Sequence, residues 1–248
     1  MRRLEAGFRR RFRSLLAQVR PKRLEFGVEL LLGRARERAA REGWPLAEAL
    51  AAVYLFTRQR VARRLEVTGA CTLAEAQWSK LGKATPSFLC DESLGGLARW
   101  LRAGGYEAQS PRMRSLAEIP SPGRPGPDTL LAVAVAGGLV LLTSVDGVLD
   151  RRLVRDGRAL ALWVPTGLDP TIQLRLVLAD LGLGLREPRC MSCGGVLVAQ
   201  AKDAVAERIP PRTARWKDDY WTCLSCGRLF WQGTHWERIM RALETAAA

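Results

Sequence analysis

The pattern of apolar and polar positions divides the chain into two regimes. Over the first 86 residues apolar side chains recur at helical spacing. Phe8, Phe12, Leu15, Leu16 and Val19 alternate with basic residues in a first amphipathic segment that Pro21 ends. A second helical pattern runs from Glu25 to about Arg41 and stops at Gly43-Trp44-Pro45. A third covers Leu46 to Leu65, with Leu50, Val53, Tyr54, Val61 and Leu65 as its apolar stripe. A short fourth is expected over Thr72 to Trp78, followed by a linker from Gly82 to Pro86.

From residue 87 the pattern changes to short apolar runs alternating with helices. Strand 87–90 precedes an amphipathic helix over 92–103, closed by Gly104-Gly105, and a short strand follows near Tyr106–Ala108. A Pro/Gly/Ser-rich loop then runs from Ser110 to Pro127. Asp128 is placed to N-cap an apolar helix over Thr129–Ala136, and Leu139–Thr143 reads as a strand buried on both faces. A helical segment from Asp146 to about Asp156, a strand over Ala159–Val164 and a helix from Pro170 to about Leu181 complete the series. The expected fold is α/β: a three-layer domain with a mostly parallel sheet over 87–186, preceded by a basic helical module over 1–86. Residues 187–248 form a third unit.

That third unit is defined by cysteine spacing. Cys190-Met191-Ser192-Cys193 and Cys223-Leu224-Ser225-Cys226 are two knuckles with 29 residues between them, each followed by glycine. Four thiolates at this spacing give the closed tetrahedral shell of structural Zn²⁺, so a zinc ribbon is expected. Cys71 and Cys90 are left over as small buried hydrophobes.

Charge changes the picture next. The chain carries a net charge of +14, and its distribution is uneven: residues 1–86 hold 19 Lys/Arg against 8 Asp/Glu, the remainder 20 against 17. A polyanion, nucleic acid above all, is the natural partner of such a surface. The first basic helix itself has three surfaces open to it: a phosphate backbone, an anionic membrane, or the protein's own core. No uncharged apolar run reaches the roughly 18 residues of a membrane span, and no apolar signal region follows the charged N-terminus. A cytoplasmic protein without stable membrane insertion is expected.

Two groups of residues carry candidate chemistry. In a parallel sheet Asp91 and Asp146 project from strand ends on one edge, Asp128 begins a helix returning to that edge, and Asp150 lies four residues beyond Asp146 on the same helical face. Converging carboxylates repel unless a divalent cation neutralises them, and oxygen ligands favour Mg²⁺ or Mn²⁺; such a site hydrolyses phosphodiesters. The alternative is four aspartates each capping a helix locally. In the ribbon and beside it, Arg99, Arg212, Arg215, Trp221, Arg228, Trp231, His235 and Trp236 interleave cations with aromatic rings, which suits single-stranded RNA. The tryptophans serve equally well to pack the ribbon onto the sheet domain.

The stretches FLCDESLGGLARWLRAGGYE, PDTLLAVAVAGGLVLLTSVDGVL and FWQGTHWERIM, with the two cysteine pairs, together resemble one family. It is the PIN-like RNase domain named for the C-terminal region of the mutator-seven exonucleases (Mut7-C), in the version with a fused zinc ribbon. The resemblance covers about residues 87–241 and implies RNA cleavage with Mg²⁺ or Mn²⁺. Asp91 matches the family's first-strand aspartate, Asp128 the acidic position before its Leu-rich helix, and Asp146 approximately the aspartate after its fourth strand. Asp150 would be an outer ligand or a water-orienting group. The family reads threonine, basic residue, aspartate after that strand; here the order is Thr143-Ser144-Val145-Asp146, one residue late and without the cation. Two readings follow: a metal-dependent ribonuclease acting on RNA, with tRNA or ribosome-associated RNA as candidates, or a non-catalytic RNA- or ribosome-binding protein on a degenerate PIN-like scaffold.

Overall fold

The structure, a computed structural model, describes residues 2–68, 85–111 and 125–247. The expected helix over Thr72–Trp78, Cys71, and most of both the 82–86 linker and the 110–127 loop lie outside these residues.

Three helices open the chain: α1 (Arg2–Ala17), α2 (Leu24–Glu42) and α3 (Leu46–Thr68). Gly43 ends α2 in the left-handed conformation at φ 68°, where a Cβ is costly. Of the three surfaces open to α1, its apolar face takes the protein's own core: Phe8, Phe12 and Leu15 are buried. That core does not stop at the module. Phe8 meets the ring of Trp163 edge-on at 5.7 Å, and Phe12 meets Tyr54 at 5.7 Å. Beneath them Arg11, 9% exposed, pairs with Asp180 and donates to the Trp163 carbonyl, while the Tyr54 hydroxyl donates to Asp180 at 2.6 Å. Burial, and then the neighbouring Asp180 charge, push the Tyr54 hydroxyl well above its ordinary pKa.

Behind this module lies a parallel sheet of β1 (Phe88–Cys90), β2 (Ala108–Gln109), β3 (Val140–Thr143) and β4 (Ala161–Trp163), in spatial order β2-β1-β3-β4. Strand alternation builds the layers. Phe88, Cys90, Val140 and Leu142 pack on α4 (Gly95–Ala103) and on a helix over Pro170–Leu181. Leu89 and Leu141 face the opposite way, onto α5 (Pro127–Gly137). The helix over Pro170–Leu181, here α6, starts where the sequence places it: Asp169 accepts from the Thr171 amide at 2.8 Å. Asp128 is a correction: the N-cap of α5 is Gly126, Pro127 occupies the first turn, and Asp128 sits inside that turn. A carboxylate there still meets the positive end of the helix dipole.

The third unit is an antiparallel ribbon, β5 (Leu197–Gln200), β6 (Tyr220–Cys223) and β7 (Leu229–Trp231). It is not a free appendage. The final helix, α7 (Thr234–Ala247), returns to the sheet domain and buries Ile239, Leu243 and Ala246 against the α4/α6 layer. From α4, Arg102 (3% exposed) donates to the Ser192 carbonyl at 3.0 Å, so a buried cation holds the first cysteine knuckle; burial lowers the pKa of that guanidinium.

The α1–sheet junction yields a paired prediction. A Cβ at Gly7 would lie 2.4 Å from the Trp163 ring, whereas one at Gly33 in α2 meets nothing within 4 Å. Gly33→Ala is expected to stabilise by about 0.5–1 kcal/mol through helix propensity. Gly7→Ala is expected to destabilise instead, because overpacking by about 1–3 kcal/mol exceeds that gain. Denaturant unfolding of the two variants measures the opposite signs.

Candidate active site and metal centre

In this sheet the chain leaves β1 for β2 on one side, and β3 adds on the other, so β1 and β3 flank the topological switch point. Open α/β sheets form their crevice at the carboxyl ends of the strands there. Asp91 directly follows β1, and Thr143 is the last residue of β3. The Asp91 carboxylate is 6% exposed and both oxygens are bound. Oδ1 accepts from the Ser93 amide at 3.0 Å and the Ser93 hydroxyl at 2.6 Å. Oδ2 accepts from the Ser144 amide at 2.6 Å, the Ser144 hydroxyl at 3.0 Å and the Thr143 hydroxyl at 3.1 Å. Asp91 therefore caps the 3₁₀ turn Glu92–Leu94 and at the same time ties the end of β1 to the end of β3. Above it lies a cleft of about 360 Å³, lined by Asp91, Glu92, Thr143, Ser144 and Val145 on the sheet side and by Pro125–Pro127 and Leu130 opposite. Glu92, Ser93, Thr143 and Ser144 are not among the site residues that the sequence predicts. Their signal was only their adjacency to strand ends.

The other aspartates are dispersed. Asp128, 72% exposed at its side chain, pairs with Arg151 at 3.1 Å. Asp146 lines the neighbouring cavity, about 230 Å³, together with Arg10, Arg11, Ser14 and Asp180; its carbonyl accepts from Arg10 at 3.1 Å. Val145, on extended backbone, takes the position facing the Asp91 cleft. Successive extended residues point to opposite sides, so the one-residue displacement of the aspartate sends it across the turn. Asp150 pairs with Arg10 at 3.0 Å. Its expected alignment with Asp146 is corrected, because Asp146–Asp150 is a 3₁₀ turn. At three residues per turn, a residue four positions on is rotated by about 120°. Among the described residues the four aspartates form no group with carboxylate oxygens at shared-ligand distance.

The cleft nevertheless suits one kind of divalent ion. Mg²⁺ keeps several waters and is held by one or two carboxylates plus substrate phosphate. Asp91 and Glu92, adjacent in sequence, both line the cleft, and an ion held there would replace donors now on the Asp91 oxygens; a chelate of three aspartates is not assembled.

The cysteine centre is assembled. The Sγ atoms of Cys190, Cys193, Cys223 and Cys226 all lie within 4.8 Å of one another, with Cys190–Cys226 at 3.7 Å and Cys193–Cys223 at 3.4 Å. Zinc–sulfur bonds of about 2.3 Å in a tetrahedron set sulfurs about 3.8 Å apart, so the cage fits Zn²⁺. Close approach of the backbone is built in: a Cβ at Gly195 would lie 2.7 Å from the Cys223 sulfur. Burial raises the Cys223 thiol, but the amides of Cys226 and Ser225 outweigh it and bring it to about 7. Cys193 is pushed up to about 12, by burial first. A metal held here would displace the protons of the thiols that bind it. Cys90, fully buried, is pushed up by burial and then by Asp91, which makes it an inert core thiol.

Of the predicted RNA contacts, Arg99, Arg228, Trp231 and Trp236 line one cavity between the ribbon, α4 and α7. Trp221 stacks parallel to Trp236 with centroids 6.3 Å apart. Arg212 and Arg215 are exposed near a short helical turn, Pro211–Ala214, away from that cavity. His235 falls in α7, and its side chain lies outside the described residues. No helix among the described residues is long and apolar enough to cross a membrane.

A metal held by all four cysteines would tie the two knuckles together, and zinc fits the cage. Cys223→Ser is expected to lower bound zinc to below one per chain and to unfold the ribbon. Chelation by a thiol-competing ligand should reproduce both effects, read by metal analysis and tryptophan emission. Acidification should also release metal as the thiolates gain protons.

No curated protein and no solved structure matches the chain. A family comparison does: the Mut7-C RNAse domain matches residues 86–243, from the residue before the β1 region through the ribbon into α7. The match points to a nuclease and to RNA as its substrate, and it spans both the Asp91 cleft and the four-cysteine cage. With well over half of its length inside that match, the chain belongs to the Mut7-C RNAse domain family.

Proposed function

We propose that this protein is a ribonuclease that hydrolyses RNA phosphodiester bonds in the cleft over β1 and β3. The observation that carries the reading is Asp91: a buried carboxylate at the switch point, fixed by five hydrogen bonds and facing an open cleft, in an RNase-family domain. Asp91 and Glu92 would hold Mg²⁺ or Mn²⁺, and such an ion supplies an activated water and stabilises charge on the leaving oxygen. Thr143 and Ser144 keep the Asp91 carboxylate from turning. Arg151 and Arg10 currently pair with Asp128 and Asp150 through exposed contacts, which are worth only about 0–1 kcal/mol. An RNA phosphate would compete for those guanidiniums and would have to draw Asp128, Asp146 and Asp150, which do not line the Asp91 cleft, toward a water held there. Zinc holds the ribbon, and the ribbon with the basic surface holds RNA in the cytoplasm, tRNA or ribosome-associated RNA being candidates.

A second reading has its own observation. Val145 occupies the cleft position where the family pattern leads one to expect a carboxylate, and this favours an RNA-binding protein without cleavage. Cleavage of single-stranded and structured RNAs in Mn²⁺ decides between them. The native chain should cleave, EDTA should abolish cleavage, and Asp91→Asn and Glu92→Gln should each slow it about a hundredfold or more. Native protein that binds these RNAs and leaves them intact would establish the second reading.

A further inference from the structure

We propose that the cavity between the ribbon, α4 and α7 receives one unstacked nucleobase of single-stranded RNA, with its flanking phosphates on Arg99 and Arg228. The inference deepens the ribonuclease reading by naming the form of RNA engaged, and it rests on RNA being the ligand. The cavity measures about 280 Å³, just under the range of drug-sized sites, which is room for a base and its sugar but not for a duplex. Its walls are Phe230, Trp231 and Trp236, with Met191 and Met240 filling between them. Arginines stand around it at positions 99, 189 and 228, and no carboxylate lines it.

This composition suits a nucleotide. Aromatic faces stack any base, thioethers adapt to its edge, and guanidiniums take the phosphates. The rings are partly exposed, and one of them is already held: Trp236 lies parallel to Trp221, with an interplanar angle of 1°. A platform set before binding loses little side-chain entropy when a base arrives. Position adds to the argument. Arg99 lies one turn into α4, the helix that begins just after Asp91 and Glu92, so one helix connects the Asp91 cleft with the cavity and places an exposed cation at the cavity's edge. A base can reach the cavity only from an unpaired strand, since duplex RNA keeps its bases stacked inside.

The test uses the full-length zinc-loaded chain without added Mg²⁺ or Mn²⁺, so that binding is read apart from cleavage. A short labelled single-stranded oligoribonucleotide is titrated by anisotropy and compared with the same strand carrying one abasic residue at each position in turn. One abasic position should weaken binding about tenfold, as loss of a stacked base does. That penalty should disappear in Trp236→Leu protein that retains its zinc. Arg99→Glu with Arg228→Glu, both on exposed side chains, should weaken binding of every strand. A flat abasic scan on native protein that still binds RNA would overturn the base pocket and leave the ribonuclease reading standing. Failure of the native protein to bind any single strand would overturn both.

Discussion

The Asp91 carboxylate is the contact on which the site depends. Strands β1 and β3 are adjacent in the sheet but separated by some fifty residues of chain, and one side chain joins their carboxyl ends. Its two oxygens accept from Ser93 on its own turn and from Thr143 and Ser144 across the switch point. The backbone repeats the connection, with the Asp91 amide donating to the Leu142 carbonyl at 2.9 Å. A buried carboxylate needs such donors, and they in turn fix where the cleft floor lies. Asp91 is thus a cap and a cleft residue at once, and the two roles reinforce each other.

Two buried arginines set the remaining parts around that floor. Arg11 enters from α1, pairs with Asp180, bonds the Trp163 carbonyl and lies over the Tyr54 and Trp163 rings at 5.3 and 5.8 Å. Arg102 reaches from α4 to the first cysteine knuckle. Burying a guanidinium is costly unless its donors are matched, so each joint tolerates few arrangements. The helical module and the ribbon are consequently held against the sheet domain. Trp163 takes part twice: its ring closes over Gly7, and its indole N–H donates at 3.1 Å to the carbonyl of Ser144, the residue whose amide and hydroxyl bind Asp91.

What was legible in the sequence follows from how local each signal is. The cysteine cage depends on spacing within two short knuckles, and the sequence places all four ligands. The alternation of Phe88, Leu89 and Cys90, or of Val140 to Leu142, is equally local, and it yields a sheet covered on both faces. The Asp91–Thr143–Ser144 contact was not legible, because no periodicity says which strands are neighbours. The placing of the aspartates departs from the sequence pattern for a different reason. That pattern predicts a helix after β3, whereas the backbone there is extended and then 3₁₀, so Asp146 lines the Arg10 cavity and Asp150 rotates away from it. Arginine surplus in the first 86 residues also read as a polyanion surface, yet Arg9, Arg13 and Arg36 pair with Glu29, Glu25 and Glu5 inside the module. Charge counts do not show which cations are already matched.

Where RNA is cut, the Asp91 cleft should bind a divalent ion. Diffraction from crystals soaked in Mn²⁺, measured at the manganese and zinc edges, should show zinc within the four cysteines and manganese beside Asp91 and Glu92. Zinc in its cage with no manganese in the cleft, in crystals that hold RNA across β1 and β3, would contradict this and leave a binding protein on an RNase scaffold.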